Sequence, residues 1–174
     1  MPDTSVRTAR SSDRERVLAI VREAFGQDRD PREEVELVEQ VWSLPAYLPD
    51  LELVAEREGK VVGHVLHSRG DLDGRAVAAL APLAVDPQHQ RTGVGGALLA
   101  ESIARADAAG FPLIALLGHW TYYPRFGFEP GLPLGISPRE PDLLLDPRAF
   151  MIRRLSSFDD SCRGRFLYAW ELTD

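Results

Sequence analysis

Cysteine is almost absent from the chain, because Cys162 is the only one among 174 residues. One cysteine cannot form a disulfide within the chain, and chains without disulfides are typical of a reducing compartment. No apolar run approaches the roughly 20 residues needed to cross a bilayer. No apolar stretch of a signal peptide follows the polar start at residues 1–5. The sequence therefore predicts a cytoplasmic protein that has no membrane partner.

Positive charge is also scarce. The chain has 20 Lys and Arg residues against 27 Asp and Glu residues, which gives a formal net charge of −7. Excess negative charge repels the phosphate backbone, so it argues against a nucleic acid as the main partner. It is compatible with a cationic substrate. The length is that of one ordinary domain, and we expect residues 1–174 to form a single domain.

One segment combines a strand, a glycine-rich turn and a helix. An apolar stretch ends at residues 83–85, and a helical pattern starts within residues 90–97. The first N–H groups of a helix have no acceptor inside the helix, and the helix dipole adds partial positive charge there. Glycine lacks the Cβ that would keep a phosphate away from the backbone. The sequence therefore predicts a phosphate-binding cradle, made of Gln90, Arg91, Thr92, Gly93, Val94, Gly95, Gly96 and Ala97.

Two nucleotide-binding motifs are excluded by what this turn lacks. A nucleoside-triphosphate loop requires Lys followed by Ser or Thr after its last glycine, whereas Ala97 and Leu98 follow Gly96. A dinucleotide fingerprint requires a third glycine at the position of Leu98 and an acidic residue about 20 residues later. The chain has only the apolar run 113–117 there. A strand-to-helix turn that binds no ligand remains an alternative interpretation.

Hydrophobic periodicity divides the chain into strands and helices. Apolar runs between turn residues predict seven strands, at residues 6–10, 51–57, 61–68, 75–85, 113–117, 149–155 and 165–172. Helical spacing predicts helices at 12–25, at 32–43 and from the glycines to about Ala109. The order strand, helix, strand after residue 75 implies a parallel crossover. Turn residues separate the last two strands, so we expect them to pair with each other.

Two short motifs follow one another across this crossover. They are Gln90-x-x-Gly93-x-Gly95 and, one strand later, Tyr123-x-x-x-Gly127-Phe128. Together they resemble the GNAT superfamily of acyl-CoA-dependent N-acetyltransferases. The fuller runs 80–85 and 117–130 are similar to the YhbS-like branch of predicted acetyltransferases. The resemblance covers most of the chain and is most specific between residues 80 and 130.

The resemblance implies a fold and a cofactor. The fold is α/β (α+β), with a mixed central sheet of about seven strands, helices on both faces, and a fourth and a fifth strand that splay apart. The implied co-substrate is acetyl-CoA, whose pyrophosphate would occupy the cradle at residues 90–97, and no metal is implied. Pantetheine would pair with the exposed strand edge as an added strand does, at Leu83, Ala84 and Val85.

The resemblance also implies two catalytic roles. A backbone N–H near Val85 would stabilise the oxyanion, and a tyrosine near the sulfur would protonate the leaving thiolate. By its position in the motif that tyrosine is Tyr123, and Tyr122 is the alternative acid. A purely structural Tyr123, packed among the neighbouring aromatic residues, is the alternative interpretation.

A general base is not evident. The predicted strand 75–85 has no acidic residue where several family members keep a glutamate. His119 is a candidate, since imidazole titrates in the useful pH range, but an exposed or structural His119 and a water chain are alternatives. His64 and His67 lie three residues apart on a strand and would point to opposite faces. They make a poor metal-binding pair, and no metal site is predicted.

These observations lead to an expected function. We expect an N-acetyltransferase that moves an acetyl group directly from acetyl-CoA to a primary amine, either a small molecule or a protein amino group. The missing acidic residue on strand 75–85 leaves a non-catalytic acyl-CoA-binding or sensing module as the alternative. A domain that keeps the fold and binds neither is a third interpretation. The acceptor and the acyl chain length are not identified by the sequence, and a homodimer is left open.

Overall fold

The structure is a computed structural model and describes residues 2–172. Its helices are α1 (Arg14–Phe25), α2 (Arg32–Ser43) and α3 (Val94–Ala108). Its strands are β1 (Ser5–Thr8), β2 (Leu53–Arg57), β3 (Lys60–Leu72), β4 (Arg75–Val85), β5 (Leu113–Leu117), β6 (Glu129–Pro130), β7 (Ile136–Ser137), β8 (Phe150–Arg154) and β9 (Gly164–Leu167). The predicted domain at 1–174 includes Met1, Thr173 and Asp174, which lie outside the described residues.

The chain divides into two compact units. The first contains the residues up to His67 together with Ala81–Ser102, and the second contains Ser68–Leu80 together with the residues from Ile103 onward. Each boundary falls inside β3, β4 or α3, so these three elements belong partly to each unit. The single domain stays a prediction.

In the first unit, β1 to β4 are neighbours in chain order. β1 pairs with β2 in antiparallel register from Ser5–Glu56 to Thr8–Leu53. β2 and β3 form the predicted hairpin, whose turn residues Glu58 and Gly59 both have positive φ, at 50° and 74°. Two successive positive φ angles match the right-handed twist of the flanking strands.

The helices of the first unit each bury one apolar face. Val17, Ile20 and Val21 of α1 are buried, and so are Val38 and Val41 of α2. Burying each of these side chains stabilises the fold by roughly 1.5–3 kcal/mol. Their spacing of three and four residues is the helical repeat that predicted both helices, and the predicted bounds 32–43 of α2 are confirmed.

In the second unit, β4 and β5 pair in parallel, which confirms the predicted parallel crossover. The pairing consists of Ala78 with Ile114 and Ala79 with Ala115. On its other side β5 pairs with β8 in antiparallel register, and β8 pairs with β6. The expected splaying of β4 from β5, and the expected placement of helices on both faces of the sheet, stay predictions.

The predicted pairing of the last two strands is wrong. β8 lies between β5 and β6, so both of its edges are occupied, and β9 pairs with β3 and β7 instead. The apolar strand β5, residues 113–117, pairs with β8, whose residues 150–152 are buried. Burial of these apolar side chains against each other favours this pairing over one between strands that are close in sequence. β3 also runs four residues beyond its predicted end, to Leu72, which pairs with Phe166 of β9.

The architecture is a mixed α/β fold. Within residues 2–172 the structure has three α-helices, several short 3-10 helices and nine strands, namely the seven predicted strands and the two-residue strands β6 and β7. No helix in that range combines the length and the apolar character required to cross a bilayer.

Candidate active site

The last residues of β4 alternate in exposure. Leu83 and Val85 are half-buried, whereas Ala84 between them is 2% exposed. Successive side chains of a strand point to opposite faces, so this alternation indicates that one face of β4 is less covered than the other. Leu83, Ala84 and Val85 are the residues that, according to the family resemblance, would pair with pantetheine.

The turn after β4 begins at Asp86 and is held by its carboxylate. The carboxylate accepts hydrogen bonds from the Gln88 N–H at 2.9 Å and from the Arg16 guanidinium of α1 at 2.5 Å. The Asp86 N–H donates to the Val62 carbonyl of β3 at 2.9 Å. Three contacts thus fix the point at which the chain leaves the sheet.

The side chain of Gln90 ties the loop back to the strand. Its Nε2 donates to the Val85 carbonyl at 3.1 Å. The Thr92 hydroxyl donates to the His89 carbonyl at 2.5 Å. Gln90 and Thr92 were predicted as parts of a phosphate cradle, and in the structure both of these side chains hydrogen-bond within the loop.

The predicted cradle sits at the start of α3. Arg91 and Gly93 have φ angles of 60° and 90°, and Gly93 is exposed with open space where a Cβ would stand. The first backbone bond of the helix runs from the Ala97 N–H to the Gly93 carbonyl at 3.0 Å. Within residues 2–172 the preceding N–H groups, those of Val94, Gly95 and Gly96, donate to no backbone carbonyl. Such groups favour an anion.

Arg57 is a site residue that the sequence interpretation missed. It lies at the end of β2, is 6% exposed, and donates to both the hydroxyl and the carbonyl of Thr92 at 2.7 Å. Its Nε donates to the Thr4 hydroxyl, also at 2.7 Å. No pattern in the sequence pointed to this contact, because the two residues are 35 positions apart and Arg57 lies outside both motifs.

Tyr123 lies in the second unit, at the start of a 3-10 turn over Tyr123–Phe126. Its ring makes edge contacts with Tyr122 and Phe128, with centroid distances of 5.2 and 5.5 Å, and the residue is 9% exposed. Within residues 2–172 its hydroxyl has no hydrogen-bond partner. Burial raises the pKa of Tyr123 above the ordinary 10.0, and the neighbouring Tyr122 adds to the rise. The phenol is therefore protonated at neutral pH and able to donate.

The backbone at Gly118 leaves room for the Tyr123 ring. A Cβ on residue 118 would stand 2.5 Å from the ring carbon Cε2. Tyr122, the alternative acid, is half-buried, and burial raises its pKa while Arg125 opposes the rise. The structure therefore places both tyrosines in one aromatic cluster and gives Tyr123 the more buried ring.

His119, the candidate base, has an exposed side chain. Its carbonyl accepts the N–H groups of Tyr122 and Tyr123 at 3.1 and 3.4 Å, so its backbone shapes the tyrosine turn. The role of His119 as a base stays a prediction.

A buried polar cluster in the first unit centres on Glu52, which is 3% exposed. Its carboxylate accepts hydrogen bonds from Trp42 Nε1 at 2.9 Å, from His64 Nε2 at 2.8 Å and from the Tyr47 hydroxyl. Burial alone would raise the pKa of Glu52, but these three hydrogen bonds bring it below its ordinary value. Glu52 lies directly before β2, and its buried, hydrogen-bonded carboxylate connects Trp42 of α2 to His64 of β3.

His67 is fully buried and binds a different partner from His64. Its Nδ1 donates to the Leu51 carbonyl at 2.8 Å. The pKa of His67 is lowered from 6.5 to about 4, mainly by burial; the Leu51 carbonyl opposes the shift and the nearby His64 adds to it. The two histidines therefore belong to separate hydrogen-bonded pairs.

We expect the free energy of unfolding to fall by about 2 kcal/mol from pH 7 to pH 5 because of His67. The folded chain keeps His67 neutral down to about pH 4, whereas in the unfolded chain it takes up a proton near pH 6.5. The unfolded state therefore binds more protons in this window. The contribution of His67 to stability is complete above pH 6.5 and is lost as the pH falls toward 4.

Urea unfolding at the two pH values measures this effect. His67→Asn keeps a donor for the Leu51 carbonyl and cannot titrate, so its stability should change less between the two values. His119→Asn alters an exposed histidine and should behave as the wild type does. An equal pH dependence in the wild type and in His67→Asn would contradict the prediction.

A family model for the acetyltransferase (GNAT) domain matches residues 5–131. Among curated proteins, the chain is 40% identical over 123 residues to YjhQ of Escherichia coli K12, which is described as an uncharacterized N-acetyltransferase. The aligned residues are 68% of this chain and 66% of YjhQ, so the chain spans about two thirds of that relative. YhbS of the same strain, with the same description, is 33% identical over 117 residues, which are 66% of this chain and 67% of YhbS.

Solved structures resemble the whole chain. The crystal structure of YhbS from Escherichia coli in complex with CoA has a TM-score of 0.85 at 26% identity, over 100% of this chain and 94% of the other. A GNAT family acetyltransferase from Brucella melitensis in complex with acetyl-CoA has a TM-score of 0.77 at 26% identity, over 98% and 99%. These comparisons bear out the fold class and the resemblance drawn from the two motifs.

Proposed function

Since the chain belongs to the GNAT family of acetyltransferases, we propose that it transfers an acetyl group from acetyl-CoA to a primary amine. The observation that carries the proposal is the start of α3, where backbone N–H groups without a backbone acceptor follow a left-handed turn at Gly93. The related structures that contain CoA and acetyl-CoA support the same co-substrate. The amine is a small molecule or a protein amino group.

The pyrophosphate of CoA binds at the cradle formed by residues 90–97. The N–H groups of Val94, Gly95 and Gly96 donate to phosphate oxygens, and the helix dipole adds partial positive charge. Hydrogen bonds to charged groups are worth roughly 1.5–3 kcal/mol each, so several of them suffice without a lysine. The open space at Gly93 lets the phosphate approach the backbone. Gln90 and Thr92 shape the loop through the bonds that their side chains make inside it.

The pantetheine arm pairs with the edge of β4 at Leu83, Ala84 and Val85. Its two amides add to the strand as a further strand would. This role is supported by the partial exposure of Leu83 and Val85 and by the short pairing of β4, which has only two residue pairs with β5 in the part of the chain described. The Val85 N–H stabilises the oxyanion that forms when the amine attacks the thioester.

The reaction forms a carbon–nitrogen bond and breaks a carbon–sulfur bond. The amine nitrogen attacks the acetyl carbonyl, and collapse of the tetrahedral intermediate expels the CoA thiolate. Tyr123 donates its phenolic proton to that sulfur, a role supported by its place in the Tyr-x-x-x-Gly-Phe motif and by its hydroxyl, which has no hydrogen-bond partner within residues 2–172. The amine must lose a proton, and β4 has no acidic residue to take it. His119 or a water chain is the proposed acceptor of that proton.

A coupled assay tests the proposal. Protein, acetyl-CoA and a panel of primary amines, which includes short peptides with free amino groups, are mixed, and the release of free CoA thiol is followed. With at least one amine, we expect free CoA thiol to appear faster than it does from hydrolysis of acetyl-CoA alone. CoA binding without turnover on any amine would favour the acyl-CoA-binding or sensing module, and the absence of CoA binding would contradict both functions. Cytoplasmic residence and a homodimer stay predictions.

A further inference from the structure

We infer that Arg57 is a positioning residue for the CoA pyrophosphate, acting by holding Thr92 in the loop before α3. The inference rests on the proposed function and assigns a role to a residue outside both family motifs. Arg57 is part of β2, and its guanidinium donates to two atoms of Thr92, the side-chain hydroxyl and the main-chain carbonyl. A planar guanidinium supplies two such donors in a fixed geometry.

The loop needs a contact of this kind because its backbone is strained. Thr92 lies between Arg91 and Gly93, which both have φ in the left-handed region. A residue other than glycine persists in that region only where the surroundings hold it. Arg91 is exposed, so its own side chain is not packed into the protein. The two bonds from Arg57 restrain the residue that follows it.

A second contact continues the restraint through the loop. The Thr92 hydroxyl accepts from Arg57 and donates to the His89 carbonyl. One hydroxyl thus connects β2 to both ends of the turn that leads into α3. Movement of Thr92 would move the N–H groups of Val94, Gly95 and Gly96, which directly follow the turn.

The charge of Arg57 supports the same role. Arg57 is 6% exposed, and within residues 2–172 its guanidinium bonds only to oxygens of Thr4 and Thr92, with no carboxylate among its partners. A buried charge without a counter-ion is costly, and this chain has more carboxylates than cations. A dianionic pyrophosphate at the adjoining loop would supply the missing opposite charge.

Calorimetric titration with CoA tests the inference on the full chain. We expect Arg57→Met to raise the Kd for CoA by about 10-fold to 100-fold, with the number of binding sites per chain unchanged. We expect Thr92→Val to raise it by about threefold to tenfold. In the double variant the Kd should rise by less than the product of the two single-variant factors, because both changes remove the same contact. Damage to the fold would instead lower the number of sites.

Two matched variants complete the design. Thr4→Val removes the other bond of the guanidinium, and it should leave the Kd within about twofold. Arg57→Lys keeps the charge without the two-pronged donor, and it should bind CoA more weakly than the wild type. The positioning role would be overturned if Arg57→Lys bound CoA as tightly as the wild type does. It would also be overturned if the rise in Kd of the double variant equalled the product of the two single-variant factors. An unchanged Kd for CoA in Arg57→Met would overturn the positioning role and leave the proposed function standing. Failure of the wild type to bind CoA would instead overturn the proposed function.

Discussion

Tyr123→Phe is expected to lower kcat by about 10²–10⁴-fold with the best amine of the panel, which is the range for loss of a general acid. The substitution removes one hydroxyl and keeps the ring that packs between Tyr122 and Phe128. The hydroxyl has no partner in the described part of the chain, so its loss breaks no structural hydrogen bond. Steady-state thiol release measures kcat, and calorimetry should show CoA binding within about twofold of the wild type.

Tyr122→Phe is the matched control for this prediction. It removes a hydroxyl from the neighbouring ring of the same cluster, and we expect kcat to stay within about threefold. Gly118→Ala gives an independent test, because the new methyl group would collide with the Tyr123 ring and should lower kcat without weakening CoA binding. A full rate in Tyr123→Phe would assign the residue to packing, and a large loss in Tyr122→Phe alone would transfer the acid role to Tyr122.

Gly95→Leu is expected to abolish the thermal stabilisation by CoA. A ligand at about 100 times its Kd stabilises the folded state by about 2.7 kcal/mol, which raises the Tm of a chain of this size by about 5–10 °C. In the variant a bulky side chain stands at the second residue of α3, where the proposed phosphate meets the backbone. We expect no increase in Tm in thermal unfolding with CoA, whatever the Tm of the unliganded variant.

Two further substitutions separate the phosphate site from the stability of the helix. Ala100→Leu adds the same side chain at an exposed position of α3 and should keep the full increase in Tm. Gly93→Ala meets no neighbouring atom but disfavours the φ of 90°, so it should reduce the increase without damage to the core. If Gly95→Leu keeps the full increase, the pyrophosphate does not bind at the start of α3.

Local patterns predicted the elements well. The spacing of Val38 and Val41 belongs to a helix whose bounds match the prediction, and Glu58 and Gly59 make the turn of the predicted hairpin. Pairing between distant strands was predicted less well. The partners of β8 and β9 depend on which strand edges remain open after β3, β4 and β5 have paired, and no local pattern reports that.

Two candidate site segments, the proposed cradle at residues 90–97 and the motif that carries Tyr123, were predictable from the sequence alone. Both are contiguous motifs, and their chemistry depends on residue type and local backbone, as at Gly93 and Tyr123. The bonds of Arg57 to Thr92, 35 residues away, and of Glu52 to Trp42 and His64 are visible only in the folded chain. Such partners are set by strand register and helix packing, which place side chains from separate segments within hydrogen-bond reach. Periodicity shows which residues are buried, but it does not show which buried residues meet.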